Sequence, residues 1–178
     1  MAWPLAALAM LGAGPAAAQD AVALAVSPLP EAERASATVI RVEESGVVTL
    51  REGSGPFICI ADDPSDDRFQ AACYHESLEP YMARGRELRR EGVTGRENIA
   101  VRREEIEAGT LDMPAYGLLH QLFAPSADWS GDLSAASRLT VIYTPFATAE
   151  ELGLPARRAD GPWFMSSGEA NAHIMIPG

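Results

Sequence analysis

Thr38-Val-Ile-Arg-Val-Glu-Glu-Ser-Gly-Val-Val-Thr-Leu-Arg51 decides how the chain is read. Two β-branched runs, Thr38 to Val42 and Val47 to Arg51, flank Glu43-Glu-Ser-Gly46, and that composition predicts a hairpin with a three- to four-residue turn. A third strand, Phe57 to Ala61, should follow the breaker Gly53-Ser-Gly-Pro56; it carries Cys59, which a bridge would tie to the start of the first long helix.

Downstream the period changes from two to about 3.6. Leu78, Tyr81, Met82 and Leu88 recur near helical spacing, so a helix is expected from an N-cap near Ser77 to Arg90, with Gly92 as its stop. Thr94-Gly-Arg-Glu97 has capping-box spacing and opens a second helix through Ile99 and Ile106 to Gly109. Strands are expected again at Tyr116 to Phe123 and Arg138 to Tyr143, around a polar loop with Pro125, Asp128, Gly131 and Asp132. Thr148-Ala-Glu-Glu151 predicts a short capped helix over Ala149 to Leu152. Trp163 to Met165 and Ala172 to Ile176 read as a closing hairpin. Strands, two helices, then strands indicate an α+β fold, a mostly antiparallel sheet with two main helices packed on one face.

Upstream, residues 19–36 are Ala-rich with Pro28 and Pro30 and read as a linker, with one helical turn at Glu31 to Arg34. Residues 1–18 read as a secretory signal peptide. An apolar run from Leu5 to Leu11 is followed by a Gly-Pro break and an A-x-A site at Ala16 and Ala18, which sets cleavage after Ala18. Residues 37–178 are then a single exported α+β domain, periplasmic or extracellular. The mature chain has about 160 residues, enough for one core. No stretch approaches the roughly 18–20 apolar residues of a membrane span, and no Cys near the cleavage site could carry a lipid anchor.

The net charge of −11 and the lack of an Arg-rich stripe argue against nucleic acid and anionic membranes as partners. The fourteen basic residues are all Arg, which removes Schiff-base, lysine-base and Walker-lysine chemistry. Export makes a disulfide the default state of the two cysteines, Cys59 and Cys73, worth about 3 kcal/mol for a loop of this length. The rivals are a thiolate metal pair or free thiols. No C-x-x-C is present.

Several segments resemble a family of uncharacterised small exported bacterial proteins. They are Leu50-Arg-Glu-Gly-Ser-Gly-Pro-Phe-Ile-Cys59, Cys73-Tyr74, Tyr143-Thr-Pro-Phe-Ala-Thr-Ala-Glu-Glu-Leu-Gly153, and Gly161-Pro-Trp-Phe-Met165 leading to Ala172-His-Ile-Met-Ile-Pro177. The chain departs from the family pattern at Gly55-Pro56, where Asn-Gly is expected, and lacks a Pro near Glu169. The resemblance implies an exported domain and supports pairing Cys59 with Cys73. It implies no activity.

No G-x-S-x-G, G-x-G-x-x-G, P-loop or H-E-x-x-H motif is present, and no cofactor is expected. A metal reading would use His75 and Glu79, four apart as on a helix, with His120 or His173 as a third ligand. His173 and Met175 share one strand face, an N/S pair suited to copper that Met165 or His120 would complete. Asp62, Asp63, Asp66 and Asp67 offer oxygen ligands without EF-hand order and read better as a solvated loop. Arg84, Arg86, Arg89 and Arg90, like Arg102-Arg-Glu-Glu105, read as solvent-facing charge. Trp129, in a polar loop, is the candidate contact aromatic, and Trp163 a core residue. The leading expectation is a non-catalytic module binding a protein or small ligand through loops beside its sheet. The runner-up is a metal protein or metal-dependent enzyme built on His75, His120, His173 and Met175.

Overall fold

The computed structural model describes residues 15–63, 68–124 and 132–178. Its elements run α1 (Pro15–Ala25), α2 (Glu31–Arg34), β1 (Thr38–Glu43), β2 (Gly46–Arg51), β3 (Phe57–Ile60) and β4 (Gln70–His75). A 3-10 turn (Glu76–Leu78) leads into α3 (Glu79–Arg90) and α4 (Gly95–Glu107). Then come β5 (Gly117–Phe123), β6 (Ser137–Tyr143), α5 (Ala149–Leu152), β7 (Trp163–Met165) and β8 (His173–Pro177). The strands form one eight-stranded sheet in the order β2-β1-β3-β4-β5-β6-β8-β7, parallel between β1 and β3 and antiparallel elsewhere. The α+β class with a mostly antiparallel sheet is therefore as expected.

The local signals fall close to the observed elements. The first hairpin closes at Glu43–Gly46, with Gly46 at a φ of 136° that disfavours a side chain. Around α5 the capping box forms in full: the Thr148 N–H donates to Glu151 Oε2 at 2.8 Å, and the Glu151 N–H donates to Thr148 Oγ1 at 3.2 Å. The same spacing before α4 does not produce one, because Thr94 occupies the N-cap without a side-chain bond.

Two expectations are corrected. The bridge from Cys59 does not lead to a helix. Cys73 lies in β4, a strand that Gln70-Ala-Ala-Cys-Tyr-His75 hardly advertises, and stands directly opposite Cys59 with Cα atoms 4.0 Å apart. The two cysteines form a disulfide. Residues 19–36 are not an unattached linker either. Ala25, Val26 and Leu29 are buried and, with Val22, pack on Val39, Cys59 and Cys73. Arginine side chains anchor the segment that follows: Arg34 donates to the Leu29 carbonyl at 2.9 Å, and Arg51 to the Ala37 carbonyl at 2.8 Å. The expected cleavage point falls within α1, and the core contacts named here all lie on its C-terminal side.

Helices lie on both faces of the sheet. Because side chains alternate along a strand, Cys59 and Cys73 point toward α1, whereas Ile58, Ile60 and Tyr74 point the other way. On that second face they meet Leu78 of the 3-10 turn and Met82 of α3. Gly117 lets the turn settle on β5, since a Cβ there would lie 2.4 Å from Leu78. Helix α4 leans on α3, held by Arg84 to Glu105 at 2.8 Å.

Candidate functional site

A groove of about 730 Å³ opens between α3 and the β1-β3-β4 end of the sheet. Its apolar wall is built by strand alternation: Ile60 and Ala72, cross-strand partners in β3 and β4, face the helix together with Val42, and Met82 faces them from α3. One and two turns further along the same helical stripe come Arg86, Arg89 and Arg90. Glu44, Asp62 and Asp63 line the same groove.

Arg86 was expected in solvent, yet its side chain is only 8 % exposed. It donates through Nη1 to the Tyr74 hydroxyl at 2.9 Å and through Nη2 to Glu79 Oε1 at 2.5 Å. The Tyr74 hydroxyl in turn donates to the Glu79 carboxylate. Burial first, and then this bond to Glu79, push the Tyr74 phenol above its ordinary range. Arg86 Nε is also buried, and it has no hydrogen-bond partner among the described residues. Arg89 is more exposed and donates to the Gly85 carbonyl at 3.2 Å. Its charge is disfavoured by desolvation first, then by repulsion from Arg102 and Arg86.

Arg102 and Arg103 are likewise not surface pairs with their neighbours. The buried Arg102 guanidinium stacks 4.0 Å from the Tyr81 ring centroid and donates to the Tyr81 carbonyl at 3.2 Å. Its close approach requires Gly85, where a Cβ would meet the guanidinium at 3.0 Å. Arg103 reaches across to Glu169.

The expected metal ligands are not brought together. His75 is the N-cap of the 3-10 turn, its Nδ1 accepting from the Ser77 N–H at 3.2 Å, while Glu79 is engaged with Tyr74 and Arg86. His120 pairs with Cys73 on the α1 face, where the rings of His75 and His120 lie 5.9 and 6.1 Å from that of Phe57. His173 is on the other face, against Tyr143 at 5.2 Å, with Nδ1 2.7 Å from the Asn171 carbonyl. Met175 packs in the cluster around Tyr74 and Val141, and Met165, opposite His173, is 42 % exposed. Burial lowers the pKa of both His120 and His173. Among the described residues no three His, Cys, Asp or Glu side chains are placed to hold a metal ion.

Trp163 is buried, as expected. Trp129, Asp66 and Asp67 lie outside the described residues. Among the described residues no helix is long and apolar enough to cross a membrane. The groove was not foreseen. Its signal was a pair of residues, Gly85 and Arg86, interrupting the apolar stripe Leu78, Tyr81, Met82 and Leu88 where another large apolar side chain would be expected. Comparison with protein-family models, with curated proteins and with solved structures gives no match.

Proposed function

We propose that the chain is an exported, non-catalytic binding domain, periplasmic or envelope-associated, which takes a small ligand in the groove between α3 and the sheet. The observation that carries this reading is the groove itself. Its volume of about 730 Å³ lies in the range of small-molecule sites, and it sets an apolar wall beside charged groups of both signs. The signal-like residues 1–18, the disulfide and the resemblance to exported proteins support the export part.

The test is a fragment screen by methyl NMR on protein recovered from the periplasm, whose mass should begin at Gln19. Hits should shift the Met82 methyl and be lost in Ala72→Phe, which fills the groove from the sheet side. Hits that ignore Ala72→Phe, or a screen without hits, would overturn the groove as the ligand site. A mass that retains residues 1–18 would overturn processed export.

A further inference from the structure

We infer that β2 is the pairing edge of a two-fold dimer, in which a second copy of this chain adds its own β2 antiparallel and the two sheets join into one. Strand β2 ends the sheet: β1 pairs with one side of it, and among the described residues no strand meets the other. Every second residue of Gly46–Arg51 therefore turns its N–H and C=O outward. Proteins ordinarily blunt such an edge with charge, proline or a bulge. Here Gly46 to Leu50 carries neither charge nor proline, and the one irregularity of the β1–β2 ladder lies at its far end, between the pairs Ile40–Thr49 and Val39–Arg51.

The strand is also uncovered on both faces. Val47, the partner of Val42, points to the groove side and is 50 % exposed; Val48, the partner of Arg41, points to the α1 side and is 38 % exposed. On the α1 side β2 borders an open recess of about 690 Å³ with Val22, Ala23, Val26 and Leu50 as its apolar lining. All four follow Ala18, so the expected cleavage leaves them in place. Antiparallel pairing across a two-fold axis keeps like faces on one side, so each copy's Val48 comes beside the other copy's recess.

Charge favours a second copy and sets its direction. In a chain of net charge −11, this uncharged strand is where two copies can approach without setting like charges directly opposite each other. A parallel pair would align the two Glu43-Glu44 turns. An antiparallel pair parts them and sets each against the end of the facing strand that carries Arg51, with Arg34 beside it. Glu31, Glu33 and Glu52 lie at that end too, so the advantage is the separation of two acidic turns rather than a net attraction.

Sedimentation of the mature, disulfide-bonded protein between about 1 and 100 μM tests this. The mass should rise to that of two chains. Val47→Lys and Val48→Lys, both at exposed positions and with urea midpoints retained, should each weaken the dimer at least tenfold, whereas Tyr116→Lys, exposed beside β5, should leave it unchanged. A synthetic peptide of residues 43–52 should compete for the edge where its scrambled form does not. A single-chain mass throughout the range, or a dimer indifferent to both valine variants, would overturn the inference. Equal binding of the scrambled peptide to a monomeric protein would overturn it as well, and would assign the edge to extended segments of other proteins.

Discussion

The two faces of the sheet solve different problems. Toward α1 the contacts come mainly from small apolar groups, Ala25, Val26, Val39 and the disulfide among them, closed off by Leu29. Toward α3 the sheet meets phenols, guanidinium groups and a carboxylate: Tyr74, Tyr81, Arg86, Arg102 and Glu79. Dispersion and apolar burial suffice on the first face, where close packing tolerates no gap. The second adds to its apolar cluster a network of charged groups, in which Arg86 Nε is left without a partner among the described residues. The groove lies on the second face.

Leu29→Ala would break the contrast most directly. Leu29 is 1 % exposed, so its truncation should cost about 2–5 kcal/mol, read as a fall in urea midpoint. A cost below about 1 kcal/mol would mean that the segment after α1 is only loosely attached.

A smaller effect separates the members of the charged network. Glu79→Gln leaves the buried Arg86 cation without its counter-charge, and the loss should be about 2 kcal/mol. Glu79 keeps a side-chain exposure of 39 %, so solvent reduces the cost below that of a fully buried pair. Arg86→Met removes the cation itself and leaves a carboxylate that water can reach, so it should cost about 1 kcal/mol or less. Equal losses in the two variants would show that Arg86 is not electrostatically dependent on Glu79.

The smallest effect sharpens the comparison through one histidine on each face. Burial holds the pKa of His120 and of His173 below the ordinary value; for His173 the bond to the Asn171 carbonyl opposes this in part. The unfolded chain, with histidines near about 6.5, therefore binds more protons than the folded one as the pH falls. Stability from this source is fully present above that value and is lost as the pH falls toward the depressed folded pKa values. The decline in urea midpoint between pH 7.5 and 5 should shrink in His120→Asn, in His173→Asn and most in the double variant. An unchanged slope in the double variant would reject the assignment.

Legibility followed the range of the interaction. The first hairpin and α5 could be read because turn glycines and caps act over three or four residues. Strand β4 could not, since Gln70-Ala-Ala-Cys-Tyr-His75 has no β-branched residue and owes its conformation to pairing with β3 and β5. Arg86 looked like surface charge because its sequence neighbours are charged, whereas its partner Tyr74 is twelve positions away in another element. Arg103 looked the same, and its partner Glu169 is further still.

Composition and local pattern alone determined the α+β class, the antiparallel bias, the net negative charge and the candidate signal at residues 1–18. They carry that much because propensity, turn chemistry and hydrophobic period are properties of neighbouring residues. Only the tertiary structure decided that residues after α1 belong to the core and that Cys59 and Cys73 face each other across two strands. It also separated the three histidines between the two faces and turned one arginine of a charged helix inward to line a groove. Burial depends on which distant elements meet, and a linear pattern does not encode which of two sheet faces a helix will cover.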